Sequence, residues 1–397
     1  MHRSCQRLSG WGLFCAIGIV IAGVFCPGNV VNGCPFCDAP TTTFSEQLAS
    51  AHVAVLVRWQ SAHKAEQTDF AEGTTVYETL AATGPAHKDF AVGRKITVNR
   101  YIAGRSEDEC LLFASRQEDQ LAWGLPMPVS PECWSYLRAA PAKDLPIQQR
   151  LPFFLAHLEN PDPEIAMDAY SEFAGISYEN LKELSGQFQR KKILHWLHDP
   201  LTIPTRKGLF GLMLGLCGTS EDAASLAKLI RLHPEEARMG IDGMMAGYLL
   251  LTGNPGVKQL IAWKLDDAES PDHEVYALLK SLEFLWSYAR DQFDTDLLRT
   301  ALRRMLPRPQ LTGLVILDLA RWQDWEIMDQ LMAGYGQGPY ADQHSRQCII
   351  RFLMAATKDS GTGDHVPSHV QKARSHLDLL RDKDPAVVKY VERYPFD

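Results

Sequence analysis

Within residues 52–138, apolar side chains come in short runs or alternate with polar ones: 53–59, 74–77 with Leu80, 95–101 and 110–114. A period of two sends successive side chains to opposite faces of a strand, so these runs predict strands with at least one buried face. Gly73, the Gly84-Pro85 pair, Gly93 and Gly104 punctuate them, and several short strands at close spacing predict a small barrel or sandwich. The pattern changes at residues 139–147, a small and Pro-rich stretch that reads as a linker. Beyond it apolar residues recur every three or four positions, over 151–158, 163–173, 190–197, 205–216, 223–232, 237–251, 257–264, 273–288 and onward to the C-terminus, which predicts helices. Helix pairs repeat at about 35–43 residues, the spacing of helical solenoids.

Ahead of the strands lies a different signal. Arg3 and Arg7 precede an apolar run over 11–25, and Val31-Asn32-Gly33 offers small residues for cleavage, so residues 1–33 are expected to be a signal peptide. Left uncleaved, the same run would serve as an N-terminal anchor; lipid attachment at Cys34 fits less well, because Asn32 suits its recognition box poorly. Export places the remainder outside the cytoplasm, as a periplasmic, secreted or envelope-associated protein in an oxidising compartment. Cys34, Cys37, Cys110 and Cys133 are then the disulfide candidates. Bonds from the first pair to the second close the longer loops and constrain the unfolded chain most, so long-range staples are expected. A redox-active Cys34-x-x-Cys37 is the alternative, although no strand precedes it, and Asp38 excludes a c-type haem site. Cys217 and Cys348 lie in apolar helical settings and are expected to be buried and unbonded.

The 397 residues carry 40 basic and 48 acidic side chains. Without Arg3 and Arg7 the balance is more acidic still, which gives no electrostatic footprint for nucleic acid or anionic lipid. No apolar run after Phe25 approaches the ~20 residues of a bilayer span, so membrane attachment is expected only through an uncleaved N-terminus. Candidate chemistry is sparse and no cofactor is implied. His195 and His198 beside Asp199 could offer two imidazoles on one helix face, but surface histidines are the simpler reading. Gly208, Gly211, Gly215 and Gly218 suggest tight helix packing with a terminal cap; Trp322, Trp325, Tyr335 and Tyr340 are expected mainly in a core. No nucleophile elbow, H-E-x-x-H or phosphate loop occurs.

Two resemblances follow from these residues. The N-terminal cysteine pair, the Ala54-Val55-Leu56-Val57 strand and Gly93-Arg94-Lys95-Ile96-Thr97-Val98 make residues 34–138 resemble the netrin-like or TIMP-like OB-fold barrel, with Cys-x-x-Cys in place of that family's Cys-x-Cys. Asp162-Pro163-Glu164-Ile165 and Asp384-Pro385-Ala386-Val387 make residues 148–397 similar to HEAT-type, ARM-like repeats, in which such a turn opens the second helix of each pair. The expected fold is therefore mixed: a small disulfide-stapled β barrel or sandwich, then an all-α solenoid of HEAT-like helix pairs. The expected function is that of a non-enzymatic exported interaction or scaffold protein, binding another protein through the solenoid surface. The alternatives are a thiol-disulfide protein using Cys34 and Cys37 or, as the barrel resemblance implies, a metalloenzyme inhibitor presenting the Cys34 amine.

Overall fold

A computed structural model of the chain describes residues 33–37, 41–65, 73–118, 120–232, 237–267, 269–359 and 366–394. Residues 1–32 of the expected signal peptide, residues 233–236 and most of 358–367 lie outside them.

The four predicted strands, β1 (Val53–Lys64), β2 (Gly73–Thr83), β3 (Lys95–Val98) and β4 (Glu109–Gln117), form one antiparallel sheet with two unpredicted ones, β5 (Gln120–Trp123) and β6 (Met127–Pro128). The order is β3-β2-β1-β4-β5, with β6 also paired to β4. The sheet curls into a half-barrel. Register shifts in the β1–β2 pair, between Leu56 and Val57 and between Trp59 and Ser61, contribute to the curl, since an extra residue on one strand sharpens the local twist. Alternation then sorts the side chains. Val53, Val55 and Val57 of β1 and Cys110, Leu112 and Ala114 of β4 join Tyr77, Phe90, Ile96 and Val98 in a small core. Ala54, Leu56 and Leu111 face the other way, into a second and much larger core shared with the helices.

α1 (Phe44–Ser50) precedes the sheet and α2 (Pro131–Ala139) follows it. Thr43 and Glu46 cap α1 reciprocally, each satisfying a main-chain N–H of the other. The remaining helices are α3 (Ile147–Leu155), α4 (Pro163–Ala174), α5 (Tyr178–Glu183), α6 (Arg190–His198), α7 (Arg206–Cys217), α8 (Ser220–Ile230), α9 (Ile241–Thr252), α10 (Asn254–Lys264), α11 (Asp272–Phe284), α12 (Thr295–Arg303), α13 (Pro309–Arg321), α14 (Met328–Gly334), α15 (Gln343–Thr357), α16 (Ser368–Lys383) and α17 (Pro385–Arg393). Asp162 caps α4 through the main-chain N–H groups of Glu164 and Ile165 at 2.9 and 3.3 Å, as its Asp-Pro sequence predicts. From α7 onward, alternate helices pack in succession: α7 on α9, α9 on α11, α11 on α13, α13 on α15 and α15 on α17.

The α7–α9 contact is glycine-lined. Gly208, Gly211 and Gly215 meet Gly240, Gly243 and Gly247, and a Cβ built on Gly211 would stand 2.5 Å from the Met244 Cα. Only glycine admits backbones this close.

The sheet and the helices lie together in one compact unit, Gly33–Asp397, and share buried polar contacts. Asp168 of α4 accepts hydrogen bonds from the Phe44 main-chain N–H at 2.6 Å and from the Tyr136 hydroxyl at 2.7 Å. Arg150 of α3 donates to Glu172 at 2.7 Å and to Ser45 at 2.9 Å, all of it buried. Buried polar groups must be paired, and here each half supplies the partners of the other. One expectation needs correction, that of the long-range staples. Cys34 is bonded to Cys37, while Cys110 and Cys133 are free and buried. The alternation of β4 explains this: Cys110 lies inside the curl, whereas Cys133 on α2 belongs to the large core on the opposite face.

Candidate functional site

A cavity of about 820 Å³ lies against β1, β2 and β4, between the segment that follows β3 and the one around β6. Its inner wall is Trp59 of β1, Tyr77 of β2 and Cys110 of β4, which the register brings side by side: Trp59 pairs with Tyr77, and Val57 with Cys110. One flank is the connection after β3, around Ile102, Ala103 and Gly104; the other runs from Pro126 to Pro131, next to β6. The β3 flank is pinned by polar contacts. Thr75 donates its hydroxyl to the Arg100 carbonyl at 2.7 Å and accepts from the Ile102 N–H at 2.9 Å, and the Trp59 indole donates to the Ile102 carbonyl at 3.0 Å. Gly104 lies against the indole, where a Cβ would stand 2.5 Å from Cδ1, so no larger residue leaves Trp59 in place.

Two properties distinguish this cavity. Its lining includes four carboxylates, Glu107, Asp108, Glu109 and Glu164, and no Lys, Arg or His. Glu109 is held by Arg58 at 3.0 Å and Asp108 accepts from the Arg105 N–H at 2.7 Å, while Glu107 and Glu164 are exposed at the rim. In the wall, Tyr77 is 0 % exposed and its hydroxyl has no hydrogen-bond partner among the described residues. Burial, followed by the neighbouring Cys110, pushes that hydroxyl up to about 12. Burial, followed by Asp108, pushes the Cys110 thiol up as well. Both groups therefore stay protonated near neutrality: Tyr77 offers a hydrogen-bonding hydroxyl and Cys110 a small apolar surface, not a thiolate.

The other sequence candidates are dispersed. Cys34 is buried and Cys37 half-buried in a turn whose Phe36 packs on Phe284 at 5.0 Å between ring centroids. The Cys34 main-chain nitrogen donates to the Ala174 carbonyl at 2.9 Å, which occupies the atom that an inhibitor would have to present. His195 and His198 are both exposed on α6, and no group of three His, Cys, Asp or Glu residues suited to a metal occurs among the described residues. Trp322 is buried and stacked on Trp286 at 4.3 Å; Tyr335 and Tyr340 are buried too. Trp325 is half-buried, donating to Asp359 at 3.0 Å and stacked on His369. Cys217 and Cys348 are free thiols, Cys348 buried and Cys217 only half-buried.

A second, polar cleft of about 170 Å³ lies between α1, α3 and α4, but its charges satisfy one another: Arg150 with Glu172 at 2.7 Å and Lys143 with Glu46 at 2.8 Å. Sequence reasoning found the strands around the half-barrel cavity but not the cavity itself. Trp59, Tyr77 and Cys110 have no motif spacing in the sequence, and only the register makes them neighbours. Comparison with protein-family models, curated proteins and solved structures finds no match to this chain.

Proposed function

We propose that this is an exported, non-enzymatic protein-interaction protein in which the half-barrel cavity, rather than the helical surface, makes the contact. The carrying observation is the combination of Trp59, Tyr77 and an acidic rim around an unfilled space, a small set of polar groups converging on apolar walls as recognition sites do. The helices fit a solenoid of HEAT-like pairs, in keeping with the packing of every second helix from α7 to α17. In this reading they are a rigid mount for a netrin-like or OB-like half-barrel. The N-terminal basic-then-apolar pattern and an oxidised Cys34–Cys37 pair agree with an extracytoplasmic location. A photo-crosslinking residue placed at Ala103 in the full-length protein, expressed in its own cell envelope, is expected to give one discrete protein adduct. An adduct from exposed Tyr276 of α11 and none from Ala103 would return the site to the helices; none from either would refute an interaction role.

The Cys34–Cys37 bond favours a second reading, a thiol-disulfide protein. It is weakened by the burial of Cys34 and by its place in a turn rather than in any helix among the described residues, so no helix N-terminus there lowers a thiol pKa. Retention of full cellular function by a Cys34→Ser, Cys37→Ser double variant would eliminate it.

A further inference from the structure

We propose that the half-barrel cavity takes an extended basic peptide segment, with an arginine or lysine side chain reaching in between Trp59 and Tyr77 under the carboxylate rim. This rests on the reading of the cavity as the interaction site and adds the chemistry of its occupant.

Charge comes first. Glu107, Asp108, Glu109 and Glu164 line the opening with no cation among the lining residues, so a cation entering there is attracted and an anion repelled. The walls fit the same ligand. Half-buried Trp59 offers an aromatic ring whose face attracts a guanidinium or ammonium and whose body packs against its aliphatic stem, beside the buried Tyr77. The wall also holds a buried side-chain polar atom with no partner among the described residues, the Tyr77 hydroxyl. It is fully buried, so it gains most from a ligand N–H to which it can act as acceptor, while an apolar ligand would leave it unsatisfied. A peptide, rather than a small free cation, is indicated by two further features. The volume of about 820 Å³ exceeds what one ammonium group fills. In addition, the main-chain groups of Ala103 and Gly104 take no part in the hydrogen bonds between described residues, so this flank can pair with a second backbone.

The test uses the full-length protein and four blocked, fluorescein-labelled pentapeptides, Gly-Val-X-Val-Gly, in which X is arginine, lysine, leucine or glutamate, with tetramethylammonium as a small-cation competitor. Anisotropy is expected to rank them arginine, lysine, leucine, glutamate, with at least roughly a tenfold gap between the first and the last, shrinking as salt is raised. Glu107→Gln with Glu164→Gln changes only exposed rim residues and should weaken the arginine peptide by roughly fivefold while leaving the leucine peptide unchanged. Tyr77→Phe, which keeps the ring, should weaken it by roughly tenfold. Equal or tighter binding of the glutamate peptide would overturn the basic ligand, and displacement of the arginine peptide by tetramethylammonium at equal affinity would overturn the peptide. Either result would leave the Ala103 adduct standing. Loss of that adduct, by contrast, removes the site itself, and failure of all four peptides to bind at millimolar concentration would overturn the proposal.

Discussion

Replacing Gly211 with alanine sets two known effects against each other, and the structure decides which wins. In an exposed helix interior the change stabilises by about 1 kcal/mol, because glycine leaves more backbone freedom in the unfolded chain. Gly211 is not in such a place. The added Cβ would lie 2.5 Å from the Met244 Cα and 2.6 Å from the Met244 nitrogen, and these are main-chain atoms that no rotamer change can move. An ordinary carbon contact needs about 3.5–4.0 Å, so α7 and α9 must separate by about 1 Å and lose close contact along the whole seam. Overpacking of this kind costs about 1–3 kcal/mol, and the separation adds lost dispersion at Gly215 against Gly247. The net expectation is a destabilisation of about 1–2 kcal/mol, read as a lower urea midpoint at unchanged slope. Gly186→Ala is the matched control: it is exposed, and nothing lies within 4 Å of its built Cβ, so its midpoint should hold or rise. If Gly211→Ala is as stable as this control, the seam is not held by backbone contact and the argument fails.

Three further outcomes are expected. Burial raises the Asp168 carboxyl from 3.8 to about 6, so the folded state binds its proton more tightly than the unfolded one; the resulting stability is present at pH 4 and lost as pH rises through about 6. Relative to Asp168→Asn, the parent should therefore lose up to about 3 kcal/mol between pH 4 and pH 8, whereas parallel pH profiles of the two melting curves would disprove it; Asp318, raised to about 7 by burial and then by Glu283, is present in both and cancels. Thiol labelling of the native protein at pH 8 should modify half-buried Cys217 ahead of Cys110, Cys133 and Cys348, with Cys133, pushed up to about 12 by burial, among the slowest; mass spectrometry of time points that found Cys133 first would contradict the core assignment. A fragment of residues 146–397 should lack a cooperative melt, because Arg150, Asp168 and Glu172 lose partners supplied by Ser45, the Phe44 main chain and Tyr136, and leaving buried charges unpaired costs several kcal/mol.

The elements that could be read from the sequence were those whose signal is local. Short apolar runs predicted β1 and β4, alternation predicted β2 and β3, and the three-to-four period predicted α3, α4 and α6 to α11. α1 went unpredicted although Thr43-x-x-Glu46 is a capping-box signal, and β5 and β6 were too short for a period to register. The glycines of α7 were rightly read as a packing surface, but their counterpart was overlooked: Gly240, Gly243 and Gly247 repeat the three-then-four spacing of Gly208, Gly211 and Gly215. Harder to see was anything that depends on which side of the sheet a residue faces. Cys110 and Cys133 are equally apolar in setting, and nothing local tells that a whole sheet lies between them. The same holds for the cavity, since Tyr77 becomes an unsatisfied buried hydroxyl only once the sheet closes around it.

The docking of the first described residues also bears on the order of events when the chain is made. Cys34 hydrogen-bonds to Ala174, Phe36 packs on Phe284, and the Phe36 carbonyl lies against Gly208. These residues thus wait for partners that lie much later in the chain, and until those are made Ala54, Leu56 and Leu111 have no helices to cover them. Such long-range dependence makes assembly slow and leaves strand surface uncovered in the meantime. Until the residues that seat Phe36 have been made, the sheet face that carries Ala54, Leu56 and Leu111 is the surface on which premature association would occur.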